Sequence, residues 1–275
     1  MFRRPTGAIL CPRCGRLTHP DAAECLVCGL PRPGRWLWAS GLGRLLRTGS
    51  FTGLVTVASI AAYVLSLLLD PMASLRPSGP FDLFSPSHRA LVDLGMTGAI
   101  PWARGEWWTL LTAIYLHGNL LHILFNVLWI RQLGPAVEEI YGPARLVIVF
   151  TVSGVLGFVA STAIGVPFTI GASGSIFGLL GAMVAFGRRR GGVYGAMVLR
   201  QYGQWALVIF VFGFFMSGVN NVAHAGGFTG GLGAGLVLSF SDRRNETPLE
   251  RALALGLIAF TAVSFALALW AAFVG

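Results

Sequence analysis

Seven stretches free of Asp, Glu, Lys and Arg, each near the length needed to cross a bilayer, dominate this 275-residue chain. They cover residues 51–69, 107–130, 146–165, 172–187, 202–218, 221–240 and 252–274. A transmembrane helix needs roughly 20 mainly apolar residues, so the expected fold is an all-α polytopic membrane protein with seven spans. Composition points the same way. Hydrophobic residues make up 55% of the chain and charged residues 11%, whereas soluble domains carry about 25% charged residues, which excludes a soluble globule. The runs 172–187 and 202–218 are short, so one of them is expected to tilt, re-enter or borrow interfacial residues.

Basic charge sets the expected orientation. All 20 basic residues are Arg. With a cytoplasmic N-terminus, seventeen fall inside: eight in residues 1–50, then Arg131, Arg145, Arg188, Arg189, Arg190, Arg200, Arg243, Arg244 and Arg251. Arg76, Arg89 and Arg104 remain outside, a strong positive-inside bias. The net charge of +9 therefore reads as topology and contact with the lipid bilayer, and no nucleic-acid partner is expected. The first apolar run begins only after residue 50, so no cleavable signal peptide is expected. A multi-pass place in a bacterial cytoplasmic membrane is the expectation.

Residues 1–30 are a different material. Cys11 and Cys14, then Cys25 and Cys28, form two Cys-x-x-Cys knuckles, each followed by Gly. Four thiolates at this spacing suit a closed, structural zinc site. A pair of disulfides is the competing reading, weakened by the reducing compartment that the topology implies. His19, between the knuckles, reads as a loop residue. Residues 31–50, with Pro31, Pro33 and four Arg, read as a basic linker on the inner leaflet. The membrane core then covers 51–240, and 241–275 hold a polar link and the seventh span. Residues 70–106 connect the first two spans with Pro, Phe81, Phe84 and Trp102, followed by Trp107 and Trp108. They form either an interfacial segment or a solvated loop.

Ser173 and His224 stand in apolar surroundings where polar side chains are costly, which makes both functional candidates. Together they can make a nucleophile and its base. Glycines supply a way for them to meet. Gly227 and Gly231 follow His224 in small-xxx-small register, while Gly174, Gly178 and Gly181 follow Ser173. Such stripes let helices approach closely, though the same stripes also serve plain bundle packing or dimerisation. His117, His122 and Asn126 lie within the second run, with His122 and Asn126 on one helical face. Imidazole N–H and carboxamide NH2 can face a developing oxyanion without net charge; each can equally hydrogen-bond neighbouring helices. A catalytic metal site is disfavoured, because no His-Glu-x-x-His occurs.

These elements resemble the rhomboid intramembrane serine proteases over roughly residues 51–240. The matches, in chain order, are Gly-Glu-Trp107-Trp108, His117 with His122-Ile-Leu-Phe-Asn126, Gly134-x-x-x-Glu138-x-x-x-Gly142, Gly171-Ala-Ser173-Gly174, and Ala223-His224-Ala-Gly-Gly227. The resemblance implies a six-helix bundle plus one C-terminal transmembrane helix. It implies Ser173 as nucleophile and His224 as base, with no third acidic member and no cofactor for catalysis. His122, Asn126 and the Ser173 amide would line the oxyanion hole, and Phe177 would pack on the catalytic histidine. Substrates would be single-span membrane proteins. One departure stands out: Thr109 follows Trp108 where the family commonly has Arg, which puts the anchoring of the first external loop in question. Two other readings remain. A non-proteolytic rhomboid-like scaffold for membrane clients would be expected to have lost Ser or His, and a transporter would be expected to show internal repeats.

Overall fold

The computed structural model describes residues 8–11, 16–19, 21–33, 51–74, 84–216, 218–238, 240 and 244–274. The chain forms two compact units, Met1–Val57 and Ala58–Gly275. In the first, β1 (Ile9–Leu10) and β2 (Leu17–Thr18) pair antiparallel with Ile9 opposite Thr18. Next to the strands the Cys11 amide donates to Arg16 O, and beyond them the Gly29 amide donates to Cys25 O in a turn. Gly29 has φ +68°, a left-handed conformation that glycine adopts without strain. The basic linker, apart from residues 31–33, lies outside the described residues.

Helix α1 (Phe51–Leu69) begins in the first unit and continues into the second, whose described residues are mainly helical. Short α2 (Pro71–Ser74), α3 (His88–Asp93), α4 (Ala99–Ala103) and α5 (Thr109–Thr112) precede a 3-10 turn at Ala113–Tyr115. Long helices follow: α6 (Leu120–Tyr141), α7 (Pro143–Ala163), α8 (Ser173–Arg190), α9 (Gly192–Gly213), α10 (Asn221–Val237) and α11 (Pro248–Val274). Four stretches, Phe51–Leu69, Leu120–Tyr141, Pro143–Ala163 and Pro248–Ala272, are long and apolar enough to cross a membrane. This is an integral membrane architecture.

Helix α8 is the centre of the unit. It packs against α6, α7, α9 and α10, and 13 of its 18 residues are buried. Because protein surrounds it, glycine and alanine serve it better than bulky apolar side chains, which explains its weak hydropathy. Three arginines close its last turn, where positive charge is favourable at the negative end of the helix dipole.

The second apolar run does not form one helix over 107–130. Residues 107–119 make short turns, and α6 starts only at Leu120. Asn119 is the reason: it is extended, and its side chain accepts from the His122 amide as an N-cap. At the other end α6 continues through Arg131, Pro135 and Glu138, because a charge ends the lipid-facing stretch without ending the helix. Helices α9 and α11 similarly start ten and four residues earlier than residues 202 and 252. Of the connection at residues 70–106, residues 75–83 with Phe81 lie outside the described residues; from residue 84 on it is no solvated loop, since Leu91, Leu94 and Met96 bury together with Ala62 and Leu116, with Phe168 and Ile170 packed against them.

Helix α11 is fastened by charge. Arg145 on α7 is fully buried and makes a bidentate pair with Glu250 on α11, at 2.9 and 3.0 Å. Its remaining donors reach the carbonyls of Tyr141, Arg244 and Asn245. Glu250 also closes a capping box, accepting from the Thr247 amide while Thr247 Oγ1 accepts from the Glu250 amide. Glu246 completes the junction by accepting from the Ala144 amide at the start of α7.

Candidate active site

Ser173 is the first residue of α8 and His224 lies in the first turn of α10. Two glycine contacts set the distance between these helices. A side chain on Gly227 would overlap the Gly174 carbonyl, and one on Gly231 would overlap Gly178. With the backbones in contact, His224 Nε2 lies 2.9 Å from Ser173 Oγ, hydrogen-bond distance for a nucleophile and its base. The Phe177 ring, one turn below Ser173, stacks on the His224 imidazole at 4.4 Å and 18°. His224 is buried and Ser173 half-buried. The first helical bond of α8 runs from Ile176 N to Ala172 O, so the amides of Ser173, Gly174 and Ser175 stand ahead of the ladder as potential donors.

His122 approaches this site from α6, and Asn126 lies one turn further along the same helix. The Gly118 amide donates to His122 Nδ1 at 3.3 Å, which leaves the proton of the neutral ring on Nε2. That Nε2 sits against Gly171: a Cβ there would come within 2.6 Å of it. Gly171 has φ +115°, so both the conformation and the space demand glycine two residues before Ser173. Asn126 is buried, and its Nδ2 donates to His122 O at 2.8 Å, which assigns the amide orientation and leaves a second Nδ2 hydrogen. His117 stands outside α6, in the preceding turn. Its Nδ1 lies 3.1 Å from Tyr115 O and its ring 5.0 Å from that of His122, so it packs behind His122.

The segment leading to Ser173 is pinned on both sides. Gly171 N donates to Ala113 O, Thr169 N to Thr97 O and Ala99 N to Val166 O. Asn220, the N-cap of α10, accepts from Ala223 N and donates to Ser161 Oγ and, at 3.0 Å, to Thr169 Oγ1. Thr109 is buried within this frame: its Oγ1 lies 2.7 Å from Glu106 O and 3.0 Å from Thr97 Oγ1. A threonine here ties the segment locally, where an arginine would reach further.

Two asparagines were not singled out from the sequence. N-cap preference is a signal that could have found Asn220, and no comparable local signal marks Asn221. In the structure Asn221 Oδ1 lies 3.2 Å from His224 Nδ1.

In the N-terminal unit the sulfurs of Cys11, Cys25 and Cys28 lie within 4.8 Å of one another. Cys11 Sγ and Cys28 Sγ are 3.7 Å apart, far beyond a disulfide bond of about 2.05 Å. Three converging thiols can hold a metal ion. Cys14 lies outside the described residues. His19 is exposed, and its Nδ1 accepts from the Asp21 amide.

Comparison with known proteins places this arrangement. The family described as Rhomboid domain matches residues 104–241. The chain is 38% identical over 168 residues to Rhomboid protease GluP of Bacillus subtilis (strain 168), covering 57% of this chain and 32% of GluP. It is 34% identical over 141 residues to Putative rhomboid protease YdcA of the same organism, covering 50% of this chain and 68% of YdcA. With Rhomboid protease GlpG of Salmonella typhi it shares 29% identity over 202 residues, covering 72% of this chain and 65% of GlpG. The chain thus spans about a third of the length of GluP and about two thirds of the other two. With half of its length matched and the Ser173–His224 contact inside the matched region, the chain belongs to the rhomboid family.

Proposed function

We propose that the protein is an intramembrane serine endopeptidase that cleaves single-span membrane proteins within or near their transmembrane segments. The observation that carries this is the 2.9 Å contact between Ser173 Oγ and His224 Nε2. His224 Nε2 takes the Ser173 proton as Oγ attacks the peptide carbonyl carbon. It then gives the proton to the departing amine, and water hydrolyses the acyl-enzyme by the same route. The oxyanion meets neutral donors: His122 Nε2–H, the second Asn126 Nδ2–H and the Ser173 amide at the head of α8. A helical substrate hides its carbonyl carbons, so substrates are segments that unwind readily and carry a small residue at the cleavage site.

In this reading the core is a six-helix bundle of α1 and α6–α10, with α11 as the added seventh helix. The Arg distribution supports a cytoplasmic N-terminus in a bacterial membrane and a site opening to the outer face. The N-terminal unit is a zinc ribbon whose four cysteines hold a structural ion. Its three described sulfurs support this, since a tetrahedral site with Zn–S of about 2.3 Å sets sulfurs about 3.8 Å apart, close to the 3.7 Å between Cys11 and Cys28. Catalysis itself needs no cofactor. A client-binding scaffold gains no support, because it has no use for a serine and histidine held in hydrogen-bond contact.

The test is cleavage of a model single-span substrate by the full chain in detergent, with a fluorophosphonate probe of serine nucleophiles. The wild-type protein cleaves and takes the label at Ser173; folded Ser173→Ala protein does neither. Cleavage by folded Ser173→Ala protein would end the serine-protease reading.

A further inference from the structure

The second nitrogen of the catalytic imidazole has a partner of its own. Asn221 opens α10 one turn before His224, and its Oδ1 lies 3.2 Å from His224 Nδ1. The carboxamide also has a fitted seat. Gly213 ends α9 and is buried, and a side chain on it would overlap Asn221 Oδ1 and come within 3.0 Å of Val219 Cγ1. The absence of a Cβ at Gly213 is therefore what admits the Asn221 carboxamide beside the histidine.

We infer that Asn221 is a positioning residue for the dyad, acting through His224 and without touching the substrate. The inference rests on the protease reading above. A neutral imidazole carries one proton. With Oδ1 turned to Nδ1, that proton lies on Nδ1, and Nε2 keeps the lone pair that receives the Ser173 proton. The opposite tautomer would direct an N–H at Ser173 Oγ and disable the base. Phe177 fixes the plane of the ring by stacking, but a stacked ring can still carry its proton on either nitrogen, so among the described residues Asn221 is the one placed to select the tautomer. Because the carboxamide is neutral, it fixes the tautomer without drawing a second proton onto the ring. Around His224 stand Ser173 and Phe177 from α8 and Asn221 from its own helix, and the titratable group that acts on it electrostatically is His122 of α6.

The experiment measures kcat, KM and the pH dependence of kcat/KM for the full chain in detergent, together with fluorophosphonate labelling of Ser173. Asn221→Ala is expected to lower kcat and the labelling rate about 10-fold to 100-fold with KM little changed, the pattern of an interaction made only during reaction. Asn221→Asp restores an acceptor and recovers most of kcat. It also adds a negative charge beside the ring, which favours imidazolium, so the acidic limb of the pH profile moves to higher pH by about one unit or more. Gly213→Ala, which displaces the carboxamide from α9, mimics Asn221→Ala. Should Asn221→Ala not fold, the shift in the Asp variant still decides. Unchanged kcat in folded Asn221→Ala, or an Asp variant with the wild-type acidic limb, would overturn the inference while wild-type cleavage upheld the protease reading. A wild-type protein that neither cleaves nor takes the label would overturn both.

Discussion

Gly227 packs its α-carbon directly against the carbonyl of Gly174, the residue after Ser173. The distance between nucleophile and base is thus set by a backbone contact that no other residue type allows. Gly227→Ala is expected to push α10 away from α8, destabilising the core by about 1–3 kcal/mol and removing most cleavage. Gly233, on the same helix, has open space around its Cα, so Gly233→Ala should leave both properties as they are. Melting temperatures and cleavage rates of the two variants side by side check this, and equal effects would show that the contact does not set the site.

Ser173 and His224 act as one device in the proposed mechanism, so their losses should not add. Ser173→Ala and His224→Ala each remove cleavage, and the double variant is no worse than either alone. An additive double variant would mean that the two residues work independently.

Asn126→Ala should lower kcat by about 10-fold to 1000-fold with little change in KM, as expected for a donor that matters mainly in the transition state. His122→Ala moves the same way. Steady-state kinetics on a quenched transmembrane peptide separate the two constants, and a change confined to KM would assign both residues to substrate binding.

The Arg145–Glu250 pair invites a stability test. Glu250→Ala strands a fully buried guanidinium and is expected to cost about 3–5 kcal/mol. Glu250→Gln can keep the capping box with Thr247, so its smaller loss isolates the charge. Thermal unfolding in detergent reads both, and an unchanged melting temperature for Glu250→Ala would show that the pair contributes nothing.

For the N-terminal unit the expectation is one zinc per chain, held by Cys11, Cys14, Cys25 and Cys28. Replacing Cys11 and Cys14 with Ser should release the ion while cleavage continues, because a closed four-thiolate site has no position for substrate or catalytic water. Elemental analysis of protein purified under reducing conditions provides the check, and absence of zinc would refute the assignment.

What could be read in advance follows from how local each signal was. The apolar runs announced the long helices, because lipid imposes a length that sequence alone displays. Their ends were harder to read, since Arg145 and Glu250 are charged yet sit inside the packed structure as a pair. The break before α6 depended on the Asn119 cap, one residue in an otherwise continuous apolar run. Ser173 and His224 stood out as polar groups in apolar surroundings, and the structure holds them 2.9 Å apart. Asn221 did not stand out, because its significance depends on which His224 nitrogen it faces and on a glycine of another helix, both products of tertiary packing.

The ion pair at Arg145 also orders events in time. Glu250 lies 105 residues further along the chain, so a ribosome delivers the cation long before its counter-charge. Through that interval α7 holds a guanidinium that its final setting buries completely, and burial without the carboxylate is strongly unfavourable. The head of α7 must therefore keep its arginine hydrated until α11 arrives. Closure of that end of the bundle is coupled to completion of α11, which makes this helix a latch on assembly as well as a neighbour in the finished fold.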